Sequence, residues 1–347
     1  MEDTVDSTIE FPEGMELHQV VNALKKVFPL EFASDWDNVG LLIEPSGVLF
    51  VKNIMLTIDL TERVLDEAIS KEINMIIAYH PPLFKPFKSL TQQSWKERIA
   101  IRCIENRIAV FAPHSALDSI KGGINDWLLT PFICSEVKPI ERTYLMPKHM
   151  GQYEYNVYFS NSSDEFFKEL NKLEAFKEAD SNYNVSCNGE NLAKILNLLN
   201  NHNLYFKTVT KSPKLPLLDE GMGRTATLQN SISIKEVVEA MKNLLSLNQL
   251  RLALSSVHTI DTLISTIAVC AGSGASVLRG VNADIIITGE MSHHEILDAV
   301  HTGSTVILCE HSNSERDFLK MLKPIMGSYI KLNIIISELD SDPIQLI

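Results

Sequence analysis

Apolar residues recur along this chain with two periods, and the alternation between them lays out its architecture. Over residues 17–28 the apolar positions Leu17, Val20, Val21, Leu24, Val27 and Phe28 fall at helical spacing, and Pro29 stops the run. Short continuous apolar runs at 54–58 and 74–78 predict buried strands. Between them Thr61 is placed to cap a helix over 62–70. Strands separated by single helices of this length predict βαβ units and hence a parallel sheet.

The pattern then restarts. Ile234-Lys-Glu-Val-Val-Glu-Ala-Met-Lys242 carries its apolar residues at the positions of Leu17-His-Gln-Val-Val-Asn-Ala-Leu-Lys25. Residues 266–270 correspond to the strand at 54–58, and 284–288 to the strand at 74–78. The reading is therefore an α/β fold of two similar lobes, 1–133 and 220–347, facing one another in one sheet or two. Residues 134–219 differ in texture, being richer in Asn, Lys and Ser. Strands at 153–159, 183–187 and 204–210 and helices at 164–176 and 192–199 predict a small α+β insert there.

Composition narrows the setting. With 347 residues, 45% hydrophobic and 22% charged, the chain suits a soluble globular protein of about two domains. A net charge of -13 gives no general attraction to nucleic acid or to an anionic membrane. The five cysteines are scattered and never spaced as C-x-x-C, which argues against a disulfide framework or a thiolate zinc site and for a reducing compartment. Residues 1–10 are acidic, unlike a signal or mitochondrial presequence, and no apolar run approaches the roughly eighteen residues of a membrane span. Cytoplasm is the expected location, with nuclear import left open.

The chemistry gathers at strand ends, where ligands bind in open α/β sheets. His80 follows one strand and is stiffened by Pro81 and Pro82. His114 and His311 follow two others, in matching surroundings. Val110-Phe-Ala-Pro-His114-Ser-Ala-Leu-Asp118 repeats Ile307-Leu-Cys-Glu-His311-Ser-Asn-Ser-Glu315, which suggests a duplicated half-site. A helix over 312–320 would put His311 and Glu315 on one face, able to meet one ion. Aligned this way, Glu290 falls opposite His80 and Glu315 opposite Asp118. The candidates are His80, His114, Asp118, His311 and Glu315, with Tyr79 and Glu290 next in line. Imidazole and carboxylate without thiolate suit Zn, Mn, Fe, Co or Ni. Two divalent ions about 3.5–4 Å apart would use the whole set and could activate a bridging water, which is hydrolase chemistry.

Other motifs read two ways. Asp35, Asp37 and Asn38 serve as ligands or as turn formers. Gly122 and Gly123 permit a tight turn or a close approach to a ligand. Cys270-Ala-Gly-Ser-Gly-Ala-Ser276 is a tight turn or a phosphate cradle. Ser292-His-His-Glu295 matches a capping box, and His293 and His294, adjacent on a helix, point about 100° apart and do not readily share an ion. His149 and His202, in the insert, have no carboxylate at ligand spacing.

The stretches SDWDNVGLL, AYHPPLFKP, PHSALDSIKGGINDWL, GMGR at 221–224, CAGSGAS, TGEMSHHEILDA and CEHSNSER span the chain in order. Together they resemble the NIF-three-like family, in its animal-type form; bacterial members are often labelled GTP cyclohydrolase I type 2 homologues. The resemblance implies two α/β lobes around a dinuclear metal centre, a ferredoxin-like or PII-like insert, and ring-shaped homo-oligomers such as a hexamer. By motif it carries metal ligation to His80, Asp118, His311 and Glu315. The family pattern has a second histidine where this chain has Tyr79, which implies one ligand fewer, with His114 placed to compensate. Two functions follow from it. One is a metal-dependent hydrolase on a nucleotide-like or small polar substrate, with His114 or Glu290 moving the proton. The other is a metal-stabilised regulatory protein or scaffold, such as a transcription co-regulator, acting through protein partners.

Overall fold

The computed structural model describes residues 14–145, 153–160, 163–173, 175–176, 184–211 and 213–344. His149 and the acidic residues 1–10 lie outside them. The apolar runs form strands in two separate sheets. The first has the spatial order Asn333–Ile336, Asn53–Thr57, Met75–Ala78, Ala109–Ala112, Gly40–Ile43, with only the last pair antiparallel. The second has the order Arg251–Ala253, Thr305–Leu308, Ile285–Thr288, Leu263–Cys270, Leu215–Ser233, Cys134–Leu145. Its three central strands are parallel, flanked by antiparallel neighbours. Asn333–Ile336 lies within the second lobe in sequence, yet it pairs with Asn53–Thr57 of the first sheet.

Strand residues alternate between two apolar layers, the period-2 geometry of a sheet covered on both faces. Ile54, Leu56, Met75, Ile77, Ile267, Val269, Ile285, Ile287 and Ile307 belong to one shared core. The helices Leu17–Val27, Ile234–Leu245 and Phe318–Tyr329 bury their apolar faces in that same core. Met55, Ile76 and Ala78 face an outer layer with the helices Glu62–Ser70 and Trp95–Glu105. Ala268, Ile286, Val306 and Leu308 face another, on the far side of the second sheet.

Residues up to Arg142 and from Leu218 onward form one compact unit, and Thr143–Leu217 form a second. The second unit is a four-stranded antiparallel sheet in the order Phe206–Lys211, Tyr155–Phe159, Asn184–Cys187, Ala175–Phe176, with its own core around Phe159, Phe166 and Ile195. Strand, helix, strand, strand, helix, strand is the ferredoxin-like order. The predicted helix over 164–176 is shorter than its apolar pattern suggested. It ends at Leu170, and residues 175–176 instead pair with Asn184–Cys187 as an edge strand. Among the described residues no helix is long and apolar enough to cross a membrane.

One buried carboxylate ties the segment after Asn333–Ile336 to the helix Glu62–Ser70. Glu67, 5% exposed, accepts from Ser337 Oγ, from the N–H groups of Glu338 and Leu339 at 2.9 and 3.1 Å, and from Lys71 Nζ at 2.8 Å. Burial alone would raise its pKa, but these four donors outweigh burial and hold it down at about 2. A carboxyl depressed from 4.5 in the unfolded chain contributes its stability above that value and loses it as the pH falls toward 2. Wild-type unfolding free energy is expected to drop by about 3 kcal/mol across this window on account of Glu67. Glu67→Gln should remove that part of the slope, which denaturant titrations at stepped pH will show.

Candidate metal centre

The carboxyl ends of the two sheets meet, and every site residue read from the sequence stands at or near one of those ends. Asp59 and His80 follow Asn53–Thr57 and Met75–Ala78, and His114 follows Ala109–Ala112. Glu290 follows Ile285–Thr288, and His311 follows Thr305–Leu308. His80 and His311, one from each sheet, approach to 5.2 Å between ring centroids.

Glu315 lies between them. Its Oε2 is 3.4 Å from His80 Nε2 and its Oε1 is 3.6 Å from His311 Nε2. His80, His311 and Glu315 each offer a ligand atom within 4.8 Å of the others, and they are the one such group among the described residues. Glu315 is 2% exposed, and its Oε2 is buried with no hydrogen-bond partner. A buried carboxylate oxygen without a donor is costly unless a cation satisfies it. The predicted helix over 312–320 is in fact two pieces, Asn313–Arg316 and Phe318–Tyr329, joined at Asp317. His311 precedes the first piece, so the pair straddles a helix start instead of sharing a full turn.

Each of three histidines is fixed through Nδ1 by a carboxylate. His80 donates to Asp59 at 2.9 Å, His114 to Asp37 at 2.8 Å, and His311 to Glu290 at 2.8 Å. Such carboxylate–histidine pairs set the ring orientation and leave Nε2 as the coordinating atom. Asp37 thus orients His114 and is more than a turn former. It also accepts from Ser115 N and Oγ, and with His114 these donors override burial to hold its carboxyl below the usual range. His114 carries a backbone φ of +33°, a strained conformation for a residue other than glycine and one that clusters at functional sites.

Asp118 adjoins the same group. Burial pushes its carboxyl up to about 6, with Glu315 adding to the rise and His114, Tyr79 and His80 pulling against it. Tyr79 donates its hydroxyl to Asp118 Oδ1, and burial with the nearby Asp118 and Glu315 raises the phenol well above its ordinary value. Tyr79 therefore acts here as a donor to a candidate ligand. At His80, burial works against the charged ring, but Asp59 and Glu315 outweigh it and lift the pKa to about 10. His80, His311 and the buried Glu315 together offer the imidazole and carboxylate donors that could hold a divalent cation.

Three further residues hold the site together. Asn125, fully buried, donates to Asp118 O at 2.9 Å and accepts from Ala271 N at 2.9 Å, joining the two lobes. Arg224 binds Asp126 through two nitrogens and four backbone carbonyls besides. Asp59 stands at a strand end just as His80 does, and that shared position was the signal available for it. The 270–276 loop is a turn packed against Glu315 and His311. Its N–H groups at Ala271, Gly272 and Gly274 already bond Asn125, Ser314 and Thr288, which takes them from the phosphate reading. Ser292 and Glu295 form the capping box, and His293 and His294 start that helix outside the His80 cluster.

A cavity of about 440 Å³ opens onto the centre, lined by His80, His114, His311, Asp59, Phe84 and Ile344 among others. Trp36 and Phe84 stand beside His114, at 6.0 and 6.4 Å between ring centroids.

Comparison with known proteins identifies the family and the fold. NIF3-like protein 1 of Homo sapiens is 39% identical over 355 residues, covering 96% of this chain and 93% of its own. NIF3-like protein 1 of Dictyostelium discoideum is 38% identical, covering 99% and 100%. NGG1-interacting factor 3 of Saccharomyces cerevisiae is 30% identical, covering 95% and 97%. In fold, the Staphylococcus aureus protein SA1388 superposes with a TM-score of 0.69 at 24% identity, covering 96% of this chain and 99% of that one. Reduced HcgD of Methanocaldococcus jannaschii gives 0.63 at 18%, covering 94% and 100%. The profile of Duf34/NIF3, NGG1p interacting factor 3, matches residues 15–343, and the chain belongs to that family.

Proposed function

We propose that this chain is a metal-dependent hydrolase acting on a nucleotide-like or other small polar substrate. The observation that carries the reading is the pair of carboxylate-fixed histidines, His80 and His311, beside a buried Glu315 whose Oε2 has no hydrogen-bond partner, with the carboxylate-fixed His114 5.5 Å from His80 between ring centroids. His80, His311 and Glu315 would hold one divalent cation, and Asp118 with His114 would hold or face a second, of Zn, Mn, Fe, Co or Ni type. Bound there, such ions supply Lewis acidity and a water acidic enough to attack at neutral pH. Glu290 is engaged in orienting His311, so His114, facing the second ion with its Nε2 and not binding it, is the residue that moves the proton. The two lobes, 1–133 and 220–347 with the 134–219 insert between them, are in this reading a duplicated half-site, since both His-Ser units leave parallel strands at the same point.

Metal content per chain, measured by mass spectrometry on protein purified without a metal-affinity tag, tests this. Close to two ions per chain is expected, falling to about one in His311→Ala. One tightly held ion would reduce the centre to a mononuclear one. None, with the assembly intact, would sink the hydrolase reading.

A second reading has one observation in its favour. The yeast relative is named as an interacting factor of NGG1. By extension this chain would be a scaffold that works in transcription through protein partners, as a ring-shaped homo-oligomer in cytoplasm and nucleus. The edge strand Arg251–Ala253 exposes Leu252, and Leu254 and Val257 beyond it are exposed too, an apolar rim suited to self-assembly. Loss of partner capture together with the metal in His311→Ala would fit a metal-stabilised scaffold, and capture at wild-type strength would mean that partner binding does not depend on the metal.

A further inference from the structure

We propose that the C-terminal segment, residues 337–344, is part of the metal centre, and that Asp340 is a positioning residue that holds His80 in place through Arg316 and Asp59. The inference rests on the metal reading above and concerns residues outside the ligand set.

After Asn333–Ile336 the chain crosses the ends of both sheets. Ser337 N bonds Leu56 O at 2.9 Å, and Asp340 Oδ2 accepts from Ile58 N at 2.7 Å, one residue before Asp59. The same Asp340 oxygen pairs with Arg316 Nη1. Arg316 Nη2 lies 3.8 Å from Asp59 Oδ2 and donates to Ser312 Oγ at 2.9 Å, while Ser312 Oγ donates to Asp342 Oδ2 at 2.7 Å. Ser312 directly follows His311, and Arg316 directly follows Glu315. The segment thus grips both flanks of the His311–Glu315 turn and the strand end that carries Asp59, one from each sheet.

The electrostatic consequence is specific. Arg316 is a permanent cation beside Asp59, and Asp59 Oδ1 is the acceptor for His80 Nδ1. Asp340, with its side chain 4% exposed, neutralises that guanidinium and leaves Asp59 to the imidazole. Arg316 Nε and Asp340 Oδ1 are buried without hydrogen-bond partners, so water does little to replace either charge if the other is removed. Without the Asp340 charge, Arg316 turns to Asp59 and competes with His80 for it. His80 then loses the orientation of its Nε2.

Zn²⁺ alone, titrated into the full chain in competition with a chromophoric chelator, is the probe. Asp340→Asn, which keeps the shape and an acceptor for Ile58 N, is expected to weaken Zn²⁺ binding by about 10- to 100-fold, the usual effect of removing an outer partner. Because Asp340 acts through Asp59, the double variant with Asp59→Asn should fall no further than Asp59→Asn alone. Leu24→Ala, in the shared core, destabilises the fold without touching this chain of contacts and should leave Zn²⁺ affinity near wild type. Wild-type affinity in Asp340→Asn, additive losses in the double variant, or an equal loss in Leu24→Ala would overturn the proposal. Failure of the wild-type chain to compete for Zn²⁺ would instead overturn the metal reading on which it stands.

Discussion

Arg224→Met is expected to lower the free energy of unfolding by about 3–5 kcal/mol, the range for breaking a buried ion pair from one side. Arg224 is 1% exposed and is the largest fully buried side chain of the described residues. Its Nε and Nη2 bond Asp126 Oδ1 and Oδ2 at 3.0 and 2.9 Å, a two-pronged pair. Its remaining donors satisfy the carbonyls of Gly221, Gly223, Ser119 and Ile120. Methionine fills much of the volume but strands the Asp126 carboxylate and leaves those carbonyls without donors. Lysine keeps the charge but not the planar fork, so Arg224→Lys should recover only part of the loss. Ser119 and Ile120 end the helix that bears Asp118, so the metal content of Arg224→Met should fall as well. Urea unfolding checks the first effect, and a loss below about 1 kcal/mol would show the pair to behave like an exposed one.

Gly272→Ala is expected to cut cation affinity by at least about tenfold while the chain still folds. Gly272 has φ +59°, and a Cβ there would collide with Glu315 Oε1 and stand 3.2 Å from His311 Nε2. The loop has little room to retreat, because Gly272 N is bonded to Ser314 Oγ at 2.8 Å and its carbonyl accepts from Glu290 N at 3.0 Å. Left-handed backbone in a non-glycine residue costs about 1–2 kcal/mol by itself. Gly280→Ala separates the two effects, since Gly280 has φ +74° but open space where its Cβ would go. Equal cation affinity in the two variants would mean that strain, and not the push on Glu315 and His311, is responsible.

Helix and strand periods placed the Leu17–Val27 and Glu62–Ser70 helices and the central strands to within a residue or two, because both faces of each sheet are covered and the strands read as unbroken apolar runs. The short pairing of Ala175–Phe176 was not legible, since a two-residue edge strand is set by its neighbour and carries no period of its own. Among site residues, His80, His114 and His311 could be found because each leaves a strand at its carboxyl end. Asp118 and Glu315 followed from the repeated His-Ser unit. Asp59 shared only His80's place at a strand end, and Arg224, Arg316 and Asp340 carried no spacing signal, because each works through a partner far away in sequence, as Asp340 does with Ile58.

What the sequence alone determined is the local part. The periods name the elements, the prolines and glycines bound them, and the repeated motif supplies the ligand types. Only the tertiary structure decided that there are two sheets, that the final strand returns to the first of them, and that the strand ends of both meet at Glu315. Strand pairing and charge partnership depend on which surfaces become neighbours after collapse. A one-dimensional pattern of apolar positions specifies which face is buried but not against what.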